Sequence, residues 1–264
     1  MFISYFDDKR VSEKTLNANL KKLKDYRASI ATSLESNNTE VPEYSLYHCL
    51  DFDLHETLGD IKQQFKGVKH VILIGIGGSS LGVEAIHSVL DQGKVKLSVL
   101  DTVSAHKVEL VLKEALTHKK VNQIAVCVVS KSGKTTETLA NAAVVLDTLK
   151  ETFGEAIYKQ TIFVGDAKTE LMTYGKKKGV TLISMPSIIG GRYSVATAVG
   201  LVPLALLGHD VDEFIAGYLD ASEENYETLV ADSASRVAEY HRLKYPHYNF
   251  FAFEPRLEQL GRWY

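Results

Sequence analysis

Three stretches of this 264-residue sequence place small, hydroxyl-bearing and cationic residues where an anion could be held. Ser130-Lys131-Ser132-Gly133-Lys134-Thr135-Thr136-Glu137-Thr138 follows directly on the apolar run Ile124 to Val129. Its hydroxyls at 130, 132, 135, 136 and 138, with the unpaired N–H groups of a helix start, can donate several hydrogen bonds to one phosphate. Gly190-Gly191-Arg192-Tyr193-Ser194 precedes an apolar helix expected over Val195 to Leu207. Its glycines let the backbone approach a ligand, and Arg192 offers a fixed fork of donors to a phosphate or a developing oxyanion. The third stretch runs Val71-Ile72-Leu73-Ile74-Gly75-Ile76-Gly77-Gly78-Ser79-Ser80-Leu81-Gly82. It reads as a buried strand, a glycine turn and a helix start capped by Ser79, whose dipole also favours negative charge.

Each motif has competing readings. The dinucleotide fingerprint needs a third glycine where Ser80 stands, although Asp101, after the run Val95 to Leu100, falls roughly where a ribose-binding acid would be. Binding of NAD by an oxidoreductase is therefore an alternative. Gly133-Lys134-Thr135 suggests a P-loop, but Val128 occupies the place of that loop's first glycine. The plainer readings are a turn that packs helix on strand, a hydroxyl-rich helix cap, and an arginine tied to a local carboxylate.

The elements that must position these residues follow a repeated rhythm. Apolar runs at 68–75, 95–100, 123–129, 160–165 and 180–184 alternate with helical patterns such as Val108, Val111, Leu112, Ala115, Leu116 and Leu139, Ala142, Leu146, Leu149. Five parallel strands with helical crossovers predict an α/β fold, a three-layer αβα sandwich. Ligands bind such sheets beyond the carboxyl ends of the strands, where all three motifs fall. Upstream, Leu16, Leu20, Leu23, Ile30 and Leu34 predict an amphipathic helix over 12–34, whereas 40–66 is mixed and expected to wrap the outside. Lys176-Lys177-Lys178 before Gly179 reads as the cationic end of a helix.

A net charge of −3 gives no case for nucleic acid or an anionic membrane as partner. Cys49 and Cys127 share no motif spacing, and no zinc-type cluster or other metal site is expected. The start Met-Phe-Ile-Ser-Tyr-Phe-Asp-Asp-Lys lacks the charged beginning and apolar core of a signal peptide, and no segment has the length of a membrane span. A cytoplasmic protein is expected.

Taken together and in this order, the three motifs resemble landmarks of the phosphoglucose isomerases, within the sugar-isomerase domain superfamily. The resemblance implies that Gly78 and Ser79 contact a sugar phosphate, and that Ser130, Lys131, Ser132 and Thr135 hold its phosphate, Lys131 through its backbone. It implies that Gly191 lies against the substrate and that Arg192 stabilises negative charge on an enediol. The implied reaction interconverts glucose 6-phosphate and fructose 6-phosphate through a cis-enediol, using a carboxylate base and no metal or organic cofactor. A non-catalytic sugar-phosphate-binding module of the same fold is the alternative.

On this reading the chain divides into a helical extension (1–50), a sugar-isomerase domain binding the sugar phosphate (51–205), and a last part (206–264) that begins an incomplete second such domain. Tyr248-Asn249-Phe250-Phe251-Ala252-Phe253 and Arg256 to Tyr264 look like that domain's first strand and helix. The family's catalytic glutamate, histidine and ring-opening lysine would follow Tyr264, and Glu258 reads as a helical-face residue. The expectation is a phosphate-binding half that is inactive alone. Exposed aromatic surface in 245–264 favours self-association, so a homodimer is expected.

Overall fold

The computed structural model describes residues 9–220 and 224–263. Met1 to Asp8, residues 221–223 and Tyr264 lie outside the described residues. The chain forms two compact units, one of Tyr44–Val211 with Ala252–Tyr264 and one of the residues up to Glu43 with Asp212–Phe251.

In the smaller unit, helix α1 (Glu13–Glu35) starts at Ser12, whose side chain accepts from the Thr15 N–H. Leu16 is the buried point of its apolar stripe, while Leu34 at the far end is exposed. There the chain returns as α9 (Glu224–Arg242), after α8 (Val211–Asp220), and Ser235 Oγ donates to the Leu16 carbonyl at 3.1 Å.

The larger unit starts with α2 (Phe52–Gln64) and then alternates β1 (His70–Ile74), α3 (Leu81–Leu90), β2 (Lys96–Leu100), α4 (Ala105–Ala115), β3 (Ile124–Val129), α5 (Thr136–Phe153), β4 (Thr161–Gly165), α6 (Glu170–Lys178), β5 (Thr181–Ser184) and α7 (Ala198–Leu206). All four strand pairings are parallel, in the order β2-β1-β3-β4-β5, with Ile74 level with both Leu100 and Val128. The expected five-stranded parallel sheet is therefore present. β1, β3 and β4 are buried along their whole length, as their unbroken apolar runs require of strands covered on both faces.

Successive side chains alternate between the faces. Ile72, Ile74, Val126, Val128 and Phe163 pack with Val108, Val111 and Leu112 of α4, Val145, Leu146 and Leu149 of α5 and Met172 of α6. The opposite face carries α7, every residue of which is buried, with α2 and α3 against it.

Two expectations are corrected here. Residues 40–66 do not merely wrap the outside: Leu54, Leu58 and Ile61 of α2, with Tyr44, Tyr47 and Cys49 ahead of it, are buried. Their helical spacing sits among so many charged residues that the overall polarity hides it. At the other end, Tyr248 to Phe253 form no strand; Phe251 and Phe253 are 80% and 100% exposed in irregular chain, with no neighbouring strand among the described residues to pair with. The chain instead continues into α10 (Glu258–Trp263), which packs on α3, where Ser88 Oγ donates to the Arg256 carbonyl at 2.8 Å and Trp263 lies against Gly82.

Candidate functional site

The carboxyl ends of β1, β3 and β4 open into loops that surround a cavity of about 370 Å³, lined by Ile76, Ser79, Val129, Ser130, Lys131, Ser132, Thr135, Thr138, Asp166, Thr169 and Gly191. The loop after β3 supplies most of the polar groups. Ser130 is 2% exposed, anchored by its N–H to the Val164 carbonyl at 3.0 Å, and its hydroxyl donates to Thr135 Oγ1 at 3.4 Å. The loop reverses at Gly133 with φ +59°, and a Cβ there would stand 2.5 Å from that of Thr169, so only glycine fits both the backbone angle and the space. Ser132 Oγ accepts the Lys134 N–H at 3.2 Å, and Thr135 then leads into α5 without spending its hydroxyl on a cap bond.

The glycine turn after β1 approaches from one side. Gly77–Ser79 form a single tight turn closed by Ser80 N–H on the Gly77 carbonyl at 3.0 Å, which delays the helix by one residue. The expected cap is thus corrected: Ser80, not Ser79, precedes α3, and neither hydroxyl makes a capping bond. Ser79 lines the cavity instead. Gly78 lies against the third motif, since a Cβ on it would fall 2.2 Å from the Gly191 carbonyl oxygen. Ser194 Oγ, donating to that same carbonyl at 2.6 Å, and Tyr193 N–H, on the Gly190 carbonyl at 3.0 Å, hold the partner loop closed.

Of the residues expected in the site, Ser79, Ser130, Lys131, Ser132, Thr135 and Gly191 come together around one cavity, and Gly78 is packed behind it. Arg192 is exposed and does not line the cavity. Asp166 and Thr169 line it without having been expected there. A signal for them exists, because the run 160–165 ends in Gly-Asp at another strand end, but it lacks the density of glycines and hydroxyls that marks the other two.

Two further acids stand on adjoining elements without lining the cavity. Asp101 accepts from Lys107 Nζ at 2.6 Å; burial opposes ionisation, yet that bond and the lysine's charge hold its carboxyl below the usual range. It is therefore bound up in an ion pair rather than open to a ribose. Glu84 on α3 is pushed above the usual carboxylate range by burial and by the charge of Asp101. Among the described residues no group of three or more His, Cys, Asp or Glu side chains could hold a metal ion, and no helix is long and apolar enough to cross a membrane.

The phosphoglucose isomerase family model matches residues 41–232. A glucose-6-phosphate isomerase of Thermus thermophilus is 32% identical over 216 residues, which cover 79% of this chain and 51% of that protein. The enzyme of the same name from Campylobacter jejuni is 28% identical over 83% of this chain and 54% of its own length. A crystal structure of a hypothetical protein, also from Thermus thermophilus, superposes with a TM-score of 0.74 at 28% identity, covering 95% of this chain and 61% of the other. The chain thus spans about half the length of the curated relatives it matches.

Proposed function

Because the chain belongs to the phosphoglucose isomerase family, we propose that its cavity takes the phosphoryl end of glucose 6-phosphate or fructose 6-phosphate. The protein of which this chain supplies the phosphate-binding half would interconvert the two as an aldose–ketose isomerase. The observation that carries this reading is the convergence of the hydroxyl-bearing residues Ser79, Ser130, Ser132, Thr135 and Thr169 on one cavity at the carboxyl ends of three strands. Neutral donors suit a phosphate ester that must be released again, because they bind its charge without locking it into a buried ion pair.

Gly78 and Gly191, pressed together at backbone distance, would form the sugar-facing wall beside Ser79. Arg192, exposed next to that wall, would lie over the C1–C2 end of the sugar. There it would stabilise negative charge on the cis-enediol as a base moves a proton between the two carbons. That base, and the groups that open the ring, are assigned to residues outside this sequence. On this proposal the chain alone binds without turning over, and a cytoplasmic location and a homodimer complete the reading.

The test is thermal unfolding with glucose 6-phosphate, 6-phosphogluconate, glucose and NAD, beside an assay of fructose 6-phosphate turnover. A ligand at about 100 times its Kd adds roughly 2.7 kcal/mol, a shift of several degrees. The expected result is stabilisation by the phosphorylated compounds alone and no turnover. Stabilisation by NAD and not by phosphosugars would replace this reading with the dinucleotide one. Light scattering is expected to give a dimer at tens of micromolar; a monodisperse monomer would remove the homodimer from the proposal.

A further inference from the structure

Of the residues lining the cavity, Asp166 is the one carboxylate and Lys131 the one cation. A carboxylate is an odd companion for a bound phosphate, since it can only accept hydrogen bonds and repels a second anion. Its placement is nonetheless fixed tightly to the cradle. The Asp166 N–H donates to the Lys131 carbonyl at 3.2 Å, and Thr169, three residues on, packs on Gly133. The turn 166–169 thus sits directly on the hydroxyl-bearing loop rather than on the glycine wall assigned to the sugar. The carboxylate itself is steadied by its own turn: Oδ1 accepts the Lys168 N–H at 2.9 Å, and the Asp166 carbonyl accepts from Thr169 Oγ1 at 2.9 Å.

The charged residues on the surrounding elements are Lys168 on its own turn, Lys131 and Lys134 on the loop after β3, Glu137 at the start of α5 and Arg192 beyond Gly191. Among the described residues none of these cations forms an ion pair with Asp166. Asp166 thus lines the cavity with no cation paired to it, so a ligand that reaches its carboxylate must bring a donor. A phosphoryl group carrying one proton has such a donor, and a fully deprotonated tetrahedral anion does not.

Resting on the phosphate-binding reading above, we propose that Asp166 selects the protonated, monoanionic phosphoryl group, accepting its P–O–H hydrogen bond, and so discriminates against sulfate. The selection works by an unfavourable contact with the wrong anion as much as by a favourable one with the right anion. Binding of a phosphosugar then weakens as pH rises through the second ionisation of the ester, near about pH 6, while binding of sulfate stays flat.

The experiment is calorimetric titration with inorganic phosphate, glucose 6-phosphate and sulfate across about pH 5.5 to 8.5, bracketing that ionisation, on the whole chain and on its Asp166→Asn and Ser130→Ala variants. The parent chain is expected to prefer phosphate to sulfate by roughly tenfold at the acid end, the worth of one hydrogen bond to a charged group, with the preference shrinking as pH rises. The amide introduced by Asp166→Asn keeps the acceptor for the Lys168 N–H but loses the charge, so this variant should raise sulfate affinity to near that of phosphate and flatten the pH slope. Equal phosphate and sulfate binding by the parent at the acid end, or an unchanged ratio and slope in Asp166→Asn, overturns the proposal. The Ser130→Ala arm separates the two levels: if it weakens phosphate while Asp166→Asn changes nothing, only the selectivity role falls. If the parent binds neither anion, or Ser130→Ala leaves phosphate affinity intact, the phosphate reading falls with it.

Discussion

Ser130 and Thr135 share a weak bond of 3.4 Å with each other, which an arriving phosphate can replace with shorter, charge-assisted ones. Replacing either by alanine should weaken glucose 6-phosphate binding by roughly 1–2 kcal/mol, with little change in stability, because the partner hydroxyl is left facing the cavity rather than a dry core. Calorimetry decides it, and unchanged affinity in both variants would put the phosphate elsewhere. These residues are legible in the sequence because hydroxyls and glycines after an apolar run have a chemical meaning that does not depend on the rest of the fold. Asp166 is not legible, since a single acid after a strand is ordinary and its importance comes only from Lys131 and Gly133 packing against its turn. Ser79 reads as a helix cap in the sequence. A tight turn at Gly77 directs it towards the cavity instead, which sequence periodicity cannot resolve.

At the scale of elements, the strands are readable because burial on both faces demands unbroken apolar runs, and the helices between them because one apolar stripe serves one sheet face. α2 fails that simple rule. Leu54, Leu58 and Ile61 are the buried minority on a helix of polar residues, yet they close the face of the sheet that α7 covers. Leu58, 2% exposed, should cost about 2–5 kcal/mol when cut to alanine. Urea denaturation would show this as a lower midpoint at unchanged slope, and a loss below about 1 kcal/mol would mean that α2 is a peripheral strap after all. Phe250, Phe251 and Phe253 are the reverse case: their composition favours a strand, but a strand needs a neighbour, and none is present among the described residues.

For the molecule as a whole, buried imidazoles set an acid limit. His70, the first residue of β1, is fully buried with Nε2 2.8 Å from Ser98 Oγ and no partner at Nδ1. Burial above all lowers its pKa from 6.5 to about 4. The unfolded chain therefore binds a proton that the folded one refuses between those values, and stability falls as pH drops from 6.5 towards 4, by up to about 3 kcal/mol from this group. His48, His87 and His209 are shifted downwards by burial too and deepen the slope. Denaturant titrations on either side of the ordinary histidine range, at about pH 7.5 and about pH 5, should show the loss. His70→Gln should reduce it; a variant as acid-sensitive as the parent would place the limit in other groups. The chain has a single tryptophan, Trp263, and α10 seats its indole on Gly82 of α3, one turn beyond the glycine loop that borders the cavity. The intrinsic emission of the protein is therefore an optical report from that one helix, undiluted by a second fluorophore of its kind, and it reads events beside the candidate site with no label attached.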